Sequence, residues 1–169
     1  EFFATFIKEE ADNSESQAGL QMQATSAKQG ALNKMFALVD KENTNPKVLY
    51  IMPRSAGDIL LSTAIVASLM KYRHPSDAHD WYFATTEPYK DLLKDLKVKV
   101  LDFQEEMMHA EIVSEVWDYV YNPGVNVQYT FSNWLLGNGE YSVRLLEEFA
   151  KNCNLTPYEL SEKYVVSIK

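Results

Sequence analysis

The chain has 169 residues, enough for one domain with a real core and an appendage. At 46% hydrophobic and 24% charged residues it has the balance of a globular protein, which argues against disorder throughout. Sixteen Lys and Arg against twenty-four Asp and Glu leave a net charge of −8, so nucleic acid is not an expected partner. A single cysteine, Cys153, excludes an intramolecular disulfide and a cysteine-based zinc site.

In chain order, Phe2, Phe3, Phe6 and Ile7 fall on one side of a short helix predicted over Glu1 to Glu10. Ala11 to Gln17 (ADNSESQ) is polar and turn-prone. Apolar spacing from Leu20 to Leu38 predicts a second helix over Ser16 to Val39, and Lys41 to Pro46 reads as a linker. Residues 1–46 thus form a helical arm whose apolar face must be covered. Two readings stay open: the arm docks on a protein partner or second copy, or it folds back over its own domain.

The main body opens with Val48 to Met52, an apolar run of the kind found in a strand buried on both faces. Pro53 to Gly57 interrupt it. From Asp58 to about Tyr72 the period changes, with Ile59, Leu60, Ile65, Val66 and Leu69 at helical spacing. Strand, Gly-containing loop and helix start make the first half of a βαβ unit, and its loop lies at the sheet edge where ligands bind. Arg54, Gly57 and Asp58 sit there.

After a turn over His74 to Asp80, Trp81 to Ala84 is a second strand, with Thr85 and Thr86 at its carboxyl end. Glu87 to Leu96 is a predicted helix with Pro88 in its first turn, and Val98 to Phe103 a third strand. Gln104 to Ser114 reads as a loop with one or two helical turns. Val116 to Tyr121 is a predicted fourth strand, closed by Asn122-Pro123-Gly124. Helices follow over Tyr129 to Leu136, Glu140 to Asn152 and Pro157 to Glu162, the first broken by Gly137-Asn138-Gly139. Tyr164 to Ile168 is a last strand or an extended exit. Strands alternating with helices at short spacing predict an α/β fold, a mostly parallel sheet with helices on both faces.

No apolar run is long enough to span a bilayer, and no G-x-x-x-x-G-K-[ST], G-x-G-x-x-G or G-x-S-x-G occurs. His74, His79 and His109 lack metal-ligand spacing, so no metal is expected. Tyr129, Phe131 and Trp134 have the chemistry to stack on a sugar, though core or interface roles are the commoner use of such residues. Asp58 also has a structural reading, as a cap of the helix it starts, and Arg54 one as a surface cation.

Arg54-Ser55-Ala56-Gly57-Asp58, between an apolar strand and an apolar helix carrying Thr63, resembles the opening R-x-x-x-G-D motif of glycosyltransferase family 9, the heptosyltransferase-like enzymes of the GT-B fold. Lys71 to Pro75 is similar to the end of that family's first helix. Val116 to Asn122 is similar to its strand before an active-site loop. The likeness covers about residues 47–166, which implies a Rossmann-like domain over 47–169, the N-terminal half of a GT-B enzyme. It also implies that a donor-binding second domain is needed beyond Lys169.

On that resemblance Asp58 is the base that takes a proton from an acceptor hydroxyl as it attacks the anomeric carbon of a nucleotide-sugar. Arg54 would bind a phosphate, Ser55 and Gly57 would border the substrate, and Thr85, Thr86 and Asn122 would face the same crevice. The substrates implied are a glycan acceptor and a nucleotide-sugar, with no further cofactor. The chain is then expected in the cytoplasm or at the cytoplasmic face of a membrane. The alternative is a non-catalytic structural or interaction module of a larger assembly that retains a GT-B half-domain.

Overall fold

The structure is a computed structural model that describes residues 17–125, 127–140, 144–160 and 163–165. The helix predicted over residues 1–10 lies outside these, as do most of the polar stretch after it, Tyr141 and residues 166–168. The chain divides into two compact units. One comprises the described part of Glu1–Thr44 with Gln104–Asp118, the other Asn45–Phe103 with Tyr119–Lys169.

In the first unit, helix α1 (Gln17–Phe36) packs against a short helix, Ala110–Val116, with a 3₁₀ turn at Glu105–Met108 before it. Among the described side chains, Leu32, Met35, Met107, Ile112, Val113, Val116 and Trp117 are buried in it. Ion pairs from Lys34 to Glu106 (2.8 Å) and from Lys28 to Glu115 (3.4 Å) fringe the contact.

The second unit is built on a four-stranded, all-parallel sheet: β1 (Lys47–Ile51), β2 (Asp80–Thr85), β3 (Lys99–Asp102) and β4 (Tyr119–Tyr121), in the order β3-β2-β1-β4. The expected α/β class, a Rossmann-like parallel sheet flanked by helices, is what the chain adopts. β1 is central, and Val48, Leu49, Tyr50 and Ile51 are wholly buried, as a strand covered on both faces requires. In register with it, Lys47 pairs with Asp80 at 3.0 Å and the Tyr50 and Phe83 rings lie 5.0 Å apart.

Helix α2 (Ala56–Tyr72) lays Ile59, Ile65, Val66 and Leu69 into the core, while Leu60 is only half-buried. The Tyr50 hydroxyl donates to Ser62 Oγ at 2.9 Å, so both buried hydroxyls are satisfied. The short helix of the first unit is α3 in chain order. Helix α4 (Val127–Leu135) ends where Gly137 (φ 86°) and Gly139 (φ 76°) turn into the left-handed region that glycine favours. Helix α5 (Leu145–Asn152) packs on α2 through Leu146, Phe149 and Ala150. Cys153 is buried behind it, and burial pushes its thiol up to about 12.

Several boundaries differ from expectation. The helix predicted over 87–96 is a tighter 3₁₀ segment, Glu87–Leu93. The strand predicted from Val116 is only Tyr119–Tyr121. Val116 instead ends α3, and the Trp117 amide donates to the Val113 carbonyl at 2.9 Å. The helix predicted from Glu140 begins at Leu145. Residues 157–159 make a turn rather than a helix, and 163–165 belong to no helix or strand. Val165 is tied down all the same, its amide donating to Thr63 Oγ1 at 3.0 Å. Among the described residues no helix is long and apolar enough to cross a membrane, and no group of three His, Cys, Asp or Glu could hold a metal.

Candidate functional site

In the order β3-β2-β1-β4 the chain moves outward from β1 through β2 and β3, then returns to the other side of β1 as β4. The loops leaving β1 and β4 therefore diverge, and a crevice opens between them at the carboxyl edge. The structure has a cavity of about 430 Å³ there, lined by Asp58, Gly124, Val127, Gln128, Phe131, Leu145 and Phe149. Gly124 brings the loop leaving β4 beside the exit of β1, where a Cβ would meet Met52 Sδ at 3.4 Å, an ordinary van der Waals contact.

Asp58 is the third residue of α2, because the helix starts two residues earlier than its periodicity indicates. Ser55 holds the N-cap position with φ 76°, a strained value for a residue with a Cβ, and its side chain makes no capping bond. The Asp58 carboxylate makes no hydrogen bond with the described residues. The capping reading of Asp58 thus loses its geometric basis. Partial burial raises the carboxyl pKa above its usual value, against the depression expected from a helix N-terminus alone. A half-buried carboxylate with a raised pKa, open to a crevice, is well suited to accept a proton.

Of the seven residues that the resemblance implicates, Asp58 alone lines the crevice. Arg54 is exposed and forms no ion pair with the described residues. Gly57 is exposed, and a Cβ there would meet only Ser55 Oγ at 4.0 Å, so the fold does not demand glycine. Thr85 and Thr86 hold the loop instead of facing the opening. Their hydroxyls donate to the Pro53 carbonyl at 3.4 and 2.6 Å, and the Thr86 amide joins them at 3.2 Å. Asn122 is half-buried just past β4, outside the lining.

The remaining wall was not anticipated as a group. Val127, Gln128 and Phe131 come from α4, Leu145 and Phe149 from α5, and only the aromatic character of Phe131 marked it in the sequence. The Phe131 ring lies 5.9 Å from that of Trp134. A second cavity of about 450 Å³ is lined by Arg144, Glu147, Lys151 and Leu160 among others. No strand-end loop contributes to it, so the chemistry of the sheet edge belongs to the first.

Fold and crevice together define a Rossmann-like α/β protein with one carboxylate at its topological switch point. Comparison with models of protein families, with curated proteins and with solved structures finds no match.

Proposed function

We propose that the chain is the acceptor-side half of an inverting, nucleotide-sugar-dependent glycosyltransferase of the heptosyltransferase-like kind, with Asp58 as the general base. The observation that carries this reading is the half-buried Asp58 carboxylate at the switch-point crevice, within an R-x-x-x-G-D loop after the central strand. An acceptor hydroxyl seated against Asp58 loses its proton to the carboxylate as its oxygen attacks the anomeric carbon. The nucleoside diphosphate leaves from the opposite side, and the centre inverts. The donor is held by a second domain, which this reading requires of the intact gene product. Arg54, exposed on the loop that leads into α2, is then available to the donor's diphosphate. The reading assigns the chain to the cytoplasm or to the cytoplasmic face of a membrane.

The test is sugar transfer from nucleotide-sugars to a glycan by the intact gene product, with Asp58→Asn alongside. Loss of roughly 10²–10⁴ in rate is expected of the variant, the usual worth of a general base. Transfer undiminished in Asp58→Asn removes that role. A second reading, a non-catalytic interaction module with residues 1–46 as a docking arm, draws support from Tyr129, Trp134, Leu135 and Leu136, all exposed along or just beyond α4. A folded intact product that transfers nothing would favour it.

A further inference from the structure

We infer that the crevice takes a hydroxyl-bearing ring free of anionic groups, with one ring face on Phe131 and one hydroxyl donated to Asp58. The acceptor reading above supplies the ligand's being a sugar. The lining residues supply its charge. Asp58 is the one ionisable side chain among the described residues of the lining, and no Lys, Arg or His joins it. A phosphate or carboxylate placed there would face a part-buried carboxylate with no cationic side chain in the described lining to offset it, a repulsion that grows as water is displaced. The chain's net charge of −8 adds to that bias. The cations that line a cavity, Arg144 and Lys151, line the other one, and Arg54 stands outside both.

The rest of the surface is chosen for a neutral ring. Val127, Leu145 and Phe149 make an apolar floor, and Phe131, partly exposed, offers a ring face with negative quadrupole to sugar C–H groups. Gln128 is exposed on the lining and brings an amide with two donors and an acceptor. A volume of about 430 Å³ lies within the range of small-molecule sites. Apolar walls with a few convergent polar groups fix the orientation of such a ligand.

The experiment is a titration of the ¹⁵N-labelled full chain with a methyl hexopyranoside and, separately, its 6-phosphate, followed by amide shifts at Asp58, Gly124 and Gln128 and by emission of the neighbouring Trp134. The neutral glycoside should shift these amides, with the 6-phosphate weaker by roughly tenfold or more at low salt. Asp58→Asn should shrink that gap. Gln128→Lys, at an exposed position, should reverse it by adding the missing cation. Phe131→Ala should weaken both ligands alike. Equal or tighter binding of the 6-phosphate by the unmodified chain overturns the inference, and so does silence toward both at millimolar concentration. Phosphate preference with transfer intact would leave the transferase reading standing. Neutral-ring binding by an intact product without transfer would sink that reading alone.

Discussion

Acid should unfold this protein through His74 before it does so through most of its carboxylates. The ring is 6% exposed, its Nε2 lies 2.7 Å from the Tyr121 hydroxyl, and its centroid is 4.2 Å from that of Tyr119. Burial, then the neighbouring charges of His79 and Arg73, lower its pKa from 6.5 to about 4. The unfolded chain therefore binds a proton that the folded one refuses between those values. Stability is full above pH 6.5 and falls as pH drops toward 4, where the folded state begins to take the proton too. With 1.36 kcal/mol per pKa unit, the loss is about 2 kcal/mol by pH 5 and about 3 kcal/mol by pH 4. That is a large share of a typical domain's 5–15 kcal/mol. Urea unfolding at pH 7.5 and pH 5, on the native chain and on His74→Gln, isolates the effect, since the carboxylates titrate alike in both. The native chain should lose about 2 kcal/mol more than the variant. Equal losses, or a His74 ring that titrates near 6.5 by NMR, would refute the argument.

Other perturbations separate the roles of neighbouring residues. Gly57→Ala should raise stability by up to about 1 kcal/mol in thermal unfolding, because the position is helical and open, and a lowered midpoint would refute this. Tyr50→Phe removes a buried hydroxyl from its partner Ser62 and should cost on the order of 1–2 kcal/mol, with Ser62→Ala adding little on top in a double-mutant cycle. Arg73 donates to both Glu159 carboxylate oxygens and holds the Glu159 pKa down to about 2. What this pair contributes is present above pH 4.5 and is lost as pH falls toward 2, and Arg73→Gln should return the Glu159 titration, read by ¹³C NMR, toward 4.5.

What could be read from the sequence depended on whether a signal was local. The change from a continuous apolar run at Val48 to a helical period after Gly57 belongs to one stretch of chain, and both elements formed as expected. The run Val116 to Tyr121 carries no such contrast. Five apolar or aromatic residues around one Asp fit a buried strand or a helix tail equally, and periodicity alone does not choose. The choice was made by packing: Val116 and Trp117 are buried in the helical unit, so only Tyr119 to Tyr121 pair with β1.

The same division explains the site. Asp58 was legible because its place follows from the strand and helix that flank it. Thr85 and Thr86 lie outside the lining: being at the carboxyl end of a strand does not say where a hydroxyl points, and the Pro53 carbonyl accepts bonds from both. The wall formed by Phe131 and Phe149 depends on how two helices from the last third of the second unit come back to the sheet edge, and no spacing rule encodes that return. Yet this wall decides what the carboxylate meets. On the reading proposed above, a base at the switch point serves many acceptors, whereas one whose described lining holds no cationic side chain excludes the anionic ones. On the proposed transferase reading, the local motif carries the reaction and long-range packing carries its selectivity.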